Sequence, residues 1–212
     1  MRYVFLALML LSTAFSVASK EVTDNQKDML SNMLWDDLTT YLDGGQSMFS
    51  DDWSSVATPW VSDQAIGIRY SHGAVSADDF YGNRMIFIQG HYLSAQNWIG
   101  DSYRVQMALV VAIVAKSESA FLQDATNGSM VKMACKTAGK EYQYVYVDHC
   151  QAQKFAMAEL VTREVAVVLS RKSKKDKDAI AIAVMADKKI AADDPCRATF
   201  GGCIDDIRSL VH

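Results

Sequence analysis

Between residues 24 and 42, Met29, Leu30, Met33, Leu34, Leu38, Tyr41 and Leu42 recur at the helical period, which predicts an amphipathic helix with one apolar stripe. Thr23 and Gln26 fit a capping box at its start, and Gly44 and Gly45 end it. Such a stripe is ordinarily buried against a partner surface. The next stretch, residues 46–63, mixes Ser and Asp with Pro59, Trp53 and Trp60. It reads as an irregular crossing plugged by aromatic rings.

From about residue 65 to 153 the pattern turns to strands. Residues 84–93 alternate, with Met85, Phe87 and Gln89 on one side and Ile86, Ile88 and Gly90 on the other; a glycine within a strand pattern suggests a bend or bulge. Residues 103–115 form a long apolar stretch whose β-branched content argues strand and whose length argues helix. Residues 120–136 read as a hairpin, Asn127-Gly128 turning the chain between Phe121-Leu122 and the segment 130–135. In residues 142–149, Tyr144, Tyr146 and Asp148 alternate with Val145 and Val147. Several strands with little helix between them imply a small barrel or sandwich. Helical periodicity returns after residue 151, through Phe155, Leu160, Val161, Val165, Val168 and Leu169; residues 179–186 suit a helix or a short strand, and Asp193-Asp194-Pro195 stops what precedes it.

The chain opens with Arg2, an apolar run over residues 4–15, and small residues Ser16 and Ala18. That order predicts a cleavable signal peptide over residues 1–18 and export to the periplasm. The run is shorter than the roughly 20 residues that cross a bilayer, and no cysteine stands at the cleavage point for a lipid to attach. The expected product is soluble, with no stable membrane anchor. Export changes the meaning of Cys135, Cys150, Cys196 and Cys203, an even number in an oxidising compartment. Three pairings are open; the local one, Cys135 with Cys150 and Cys196 with Cys203, is expected because each loop closes easily, Gly201 and Gly202 lying inside the second. A final turn over residues 204–211 would be tied down by that second clip.

A formal charge of -4 argues against nucleic acid as a partner. The dense basic stretch, Arg171, Lys172, Lys174, Lys175 and Lys177, is broken by Asp176 and Asp178, and suits a solvated helix end better than a docking patch. No metal or cofactor is expected: the cysteines lack zinc-knuckle spacing and His72, His91, His149 and His212 are scattered.

Three segments together carry a resemblance: residues 77–90, with Ala77-Asp78-Asp79, Phe80-Tyr81-Gly82 and a strand ending at Gly90; Met130-Val131-Lys132-Met133-Ala134-Cys135; and Tyr146-Val147-Asp148-His149-Cys150. With the preceding amphipathic helix they resemble the exported OB-fold proteins called tRNA-anti-like. The segment 94–119 is longer than that barrel needs, and the helical tail has no counterpart. The fold class implied is α+β: a signal peptide (1–18), an N-terminal helix (19–45), an OB-like β domain (46–153) and a helical C-terminal extension with a disulfide clip (154–212). An OB face would offer stacking aromatics, here Phe87, Tyr92, Tyr144 and Tyr146. Core roles explain most of these, and Tyr92, Tyr144 and Tyr146 stand as the candidate binding surface.

No catalytic residue is identified. Ser71-His72 and Asp148-His149 are neighbours in sequence without a nucleophile elbow around them. The pairs Asp51-Asp52, Asp78-Asp79, Asp193-Asp194 and Asp205-Asp206 suit turns and helix starts, and the sequon Asn127-Gly128-Ser129 is explained by its turn. The expectation is a non-enzymatic binding or inhibitor module in which the barrel face or the N-terminal helix engages another envelope protein. The alternative is a small envelope hydrolase with His72 or His149 as base.

Overall fold

The computed structural model describes residues 22–50, 52–141, 143–171 and 173–190. The signal sequence, Cys196, Cys203, the Asp193 and Asp205 pairs and the final turn lie outside the described residues. Helix α1 spans Asp24–Leu42 with its capping box formed by Thr23 and Gln26, and Gly44 takes a positive φ of 87° just past its end. Short elements follow: α2 (Trp53–Val56), β1 (Val61–Ser62), α3 (Asp63–His72) and α4 (Ala74–Tyr81). The strands are β2 (Ile86–His91), β3 (Ser94–Trp98), β4 (Ser102–Gln106), β5 (Val110–Ala115), β6 (Met130–Cys135), β7 (Thr137–Glu141) and β8 (Tyr144–Ala152). A 3-10 helix, Lys116–Leu122, lies between β5 and β6, and α5 (Gln153–Ser170) and α6 (Lys174–Lys189) close the described chain.

The eight strands form one mixed sheet in the order β1-β2-β6-β8-β5-β4-β3, with β7 added on β8. The fold is thus mixed α and β, and the sheet is not closed into the expected barrel: its ends, β1 and β3, do not pair. Gly90, expected to bend its strand, makes no bend. The β2–β6 register runs unbroken from Ile86 opposite Cys135 to His91 opposite Met130. Gly90 is needed because a Cβ there would stand 2.8 Å from Cγ of Asp63. That carboxylate accepts the Ala108 N–H at 3.1 Å and ties α3 to the turn after β4.

Other expected elements change in the same way. Residues 65–81, read as the start of the strand region, are α3 and α4. Each anchors through one pair four apart, Ile66 with Tyr70 and Ala77 with Tyr81, too few positions to reveal a helical period. The 103–115 stretch is neither one strand nor one helix but the antiparallel pair β4 and β5. Asn127-Gly128 does turn the chain, with φ 89° at Gly128, yet Phe121 and Leu122 belong to the 3-10 helix and β6 pairs with β2. Residues 179–186 are helical, within α6.

Two cores lie on opposite faces of the sheet, and β2 contributes to both. Met85 and Phe87 join α1, α5 and α6 in the first, with Trp53 fully enclosed; Ile86 and Ile88 join α3 and α4 in the second. The stripe of α1 is therefore core. Its Met29, Leu30, Leu34 and Leu38 are wholly buried, each worth about 2 kcal/mol in apolar transfer.

A buried carboxylate fixes how the first core closes. Asp37 on α1 accepts hydrogen bonds from the backbone N–H of Met48 (2.5 Å), Phe49 (3.2 Å) and Ser50 (3.1 Å), from the Ser47 hydroxyl (2.5 Å) and from the Trp53 indole (2.8 Å). The loop they organise continues to α5: Ser50 donates to the buried Glu164 at 2.7 Å, and Asp52 pairs with Arg171 at 2.5 Å. Burial pushes the Glu164 carboxyl above its ordinary range, with Asp52 and Asp176 adding to the rise and the Ser50 hydrogen bond and Arg171 opposing it.

Asp37→Ala would remove the acceptor of two buried donors, the Ser50 N–H and the Trp53 indole, each costing about 1–3 kcal/mol, so urea denaturation should show a loss of at least about 2 kcal/mol. For Glu164, whose native pKa is raised, the stability it contributes is complete below the unfolded-state pKa and is lost as pH climbs through the native one. Glu164→Gln keeps an acceptor for Ser50 and removes that loss. Thermal melts should therefore show the variant gaining over the natural protein at neutral pH, with the gain shrinking to nothing in acid.

Candidate functional site

The helical layer formed by α1, α5 and α6 covers only part of its face of the sheet. Ala134 of β6 lies in that core, while Gln151, directly opposite it on β8, already lines an open cavity. Beyond this point, among the described residues, the face carried by β8, β5, β4 and β3 joins neither core: Trp98, Val111, Ile113, Tyr144 and Tyr146 are absent from both. Val111 is nevertheless fully buried.

Strand β3 forms the free edge, and all five of its residues are exposed. It leads into the turn Trp98-Ile99-Gly100-Asp101, where Gly100 has φ 68° and Ile99 is 82% exposed. Next to it on β4, the Arg104 guanidinium lies 5.4 Å from the Trp98 ring and 5.9 Å from the Tyr146 ring, and donates to the Tyr146 hydroxyl at 3.4 Å. Its Nε is buried and has no hydrogen-bond partner among the described residues. A delocalised cation between two aromatic rings is held in place by their quadrupoles, with donors to spare.

At the other side of the face, β8 bulges. Ala112 pairs with Val147 and Val114 with Cys150, so Asp148 and His149 together oppose Ile113. His149 takes a positive φ of 53°, a conformation that histidine tolerates better than most residues, and its N–H donates to Asp148 Oδ1 at 2.6 Å. The bulge and the Trp98 turn enclose a cavity of 620 Å³ whose wall also includes Ser102, Glu118 and Lys136. Lys136 is engaged by Glu159 at 3.1 Å, leaving the carboxylates of Glu118 and Asp148 to set the charge of the wall. Cys150, which also lines this cavity, carries the disulfide to Cys135. This bond crosslinks β6 to β8 where the ladder between them is short.

The candidate aromatics separate. Tyr146 joins Arg104, and Tyr144 shares its side of β8, but Tyr92 packs against the second core. Phe87 is buried in the first core, edge-on to Trp60 at 5.3 Å. Among the described residues no hydrogen bond reaches the imidazole of His72 or His149, and the Ser71 hydroxyl donates to its own helix at Ile68. Trp98, Ile99 and Arg104 went unnoticed in the sequence, although two bulky apolar residues before Gly100-Asp101 are an unusual turn. Among the described residues no group of three or more His, Cys, Asp or Glu is placed to hold a metal, and no helix is long and apolar enough to cross a membrane. No family model, no curated protein and no solved structure matches the chain.

Replacing Cys135 and Cys150 together by Ala opens a loop of 15 residues. In the chain-entropy model this lowers stability by about 3 kcal/mol, to be read from denaturant midpoints of the natural and double-variant proteins.

Proposed function

We propose that the protein is an exported, periplasmic binding or inhibitor module, not an enzyme, which engages another envelope protein through the uncovered face of β8-β5-β4-β3. The observation that carries this reading is the row Trp98, Arg104 and Tyr146 on a face outside the core formed by α1, α5 and α6, ending at the exposed Ile99. Trp, Tyr and Arg dominate binding hot spots because each buries a large area at small entropic cost and keeps a polar handle. The cavity at the bulge would receive a side chain from the partner. Export is supported by the Cys135–Cys150 disulfide and by the signal pattern of residues 1–18.

Kinship with the tRNA-anti-like OB-fold proteins belongs to the same proposal. Its support is that the three segments that carry the resemblance include β2, β6 and β8, which lie side by side in the sheet. The hydrolase alternative draws no comparable support, since among the described residues neither the His72 nor the His149 imidazole is hydrogen-bonded to a nucleophile or an orienting carboxylate.

The test uses the mature protein as bait on envelope extract, with the captured partner then measured against purified variants. Trp98→Ala and Arg104→Ala should each weaken its binding about thirtyfold, the factor that corresponds to a hot-spot loss of roughly 2 kcal/mol, while His72→Ala leaves it unchanged. Equal affinity of the natural protein and a folded Trp98→Ala, Arg104→Ala double variant would remove this face from the reading.

A further inference from the structure

On the far side of Lys136 lies a second cavity, of 270 Å³, at the junction of α5 with the turn that precedes β2. Arg84, Arg163, Lys136, Asn83 and Glu159 all contribute to its wall. The one carboxylate among them is spent: Glu159 accepts from Lys136 at 3.1 Å through one oxygen and from Gln151 at 3.2 Å through the other. Arg84 and Arg163 have no such partner. Among the described residues no carboxylate lies within ion-pair distance of either guanidinium, in a chain whose formal charge is -4.

Arg84 is also held. Its guanidinium lies 5.0 Å from the Phe80 ring, which takes Arg69 at 3.9 Å, and its backbone N–H is fixed to the Tyr81 carbonyl at 3.0 Å. Stacking of this kind occupies the plane of the guanidinium and leaves its rim of donors free. Arg163 projects from the exposed side of α5, one residue before the buried Glu164. The space is below the roughly 300 Å³ at which drug-sized ligand pockets begin, so it suits one small group.

We propose that this pocket binds an oxyanion, a carboxylate or phosphate group whose oxygens are shared between the Arg84 and Arg163 guanidinium groups, with Asn83 at the rim. Paired oxygens match the guanidinium fork, and hydrogen bonds in which both partners are charged are about twice as strong as neutral ones. The site is independent of the sheet face proposed above. It would persist whether or not that face meets a partner.

The test is a titration of the isotope-labelled protein at low ionic strength, following the arginine Nε–H signals by NMR, with inorganic phosphate, glutarate and a short glutamate-rich peptide as separate probes. Saturable shifts at Arg84 and Arg163 are expected, with affinity reduced about tenfold or more in Arg163→Gln, the loss of one charge-assisted hydrogen bond. Arg163 is exposed, so that variant should keep its fold; Arg84→Gln, checked by thermal melt, should act alike. Saturation by phosphate alone assigns the site to the free anion, and saturation by glutarate or the peptide assigns it to a carboxylate. Linear, unsaturated shifts with all three probes, or an affinity unchanged in both variants, would overturn the proposal.

Discussion

The carboxylate of Asp37 is the constraint on which the helical half of the molecule rests. A charged group removed from water is tolerable only when its lone pairs are filled, and here the loop that follows α1 fills them with three backbone N–H groups, a hydroxyl and an indole. The loop is thereby folded around one point. Trp53 enters the core, Ser50 reaches Glu164, and Asp52 reaches Arg171, so that α1 and α5 are joined through polar contacts as well as apolar ones. The helical layer packs over β2 and β6 and reaches the near end of β8, where Gln151 donates to Glu159.

What the layer leaves bare is where local rules are broken. A histidine has a positive φ, an arginine Nε lacks a partner, and an isoleucine stands almost wholly in water at a turn. Departures of this kind gather at working surfaces, where the fold tolerates a local cost for the sake of contact with something else. Lys136 joins the two cavities, lining both while its ammonium is held by Glu159. The bulge, the disulfide and this ion pair thus meet within a few residues of β6 and β8.

Long periodic segments were legible because many positions repeat the same message. The α1 stripe with its Thr23 and Gln26 cap, the alternation of β2, and Val145 with Val147 on β8 each appear in the structure as the pattern implies. The local pairing of Cys135 with Cys150 appears as well. Short segments were not legible: α3 and α4 rest on two buried apolar side chains apiece, and β3 buries none. Gly90 misled because a glycine marks close approach as readily as a bend, and the approaching group, Asp63, is 27 residues away in the chain and out of sight of any local window. The candidate site was half visible. Tyr144 and Tyr146 were found by alternation, whereas Arg104 acquires its meaning only when β4 pairs with β3 and places Trp98 beside it.

Strand β3 differs from every other strand in how little the fold demands of its side chains. Ser94, Ala95, Gln96, Asn97 and Trp98 are all exposed, and neither core counts any of them among its members. Backbone pairing with β4 holds the strand, and almost any sequence with reasonable β propensity could maintain that pairing. Evolutionary drift at Ser94, Ala95, Gln96 and Asn97 is therefore nearly free as far as folding is concerned. Trp98 differs, because its ring also holds Arg104; should relatives of this chain keep Trp98 while the other four positions vary, the restraint would mark the Trp98–Arg104 pair and not the strand.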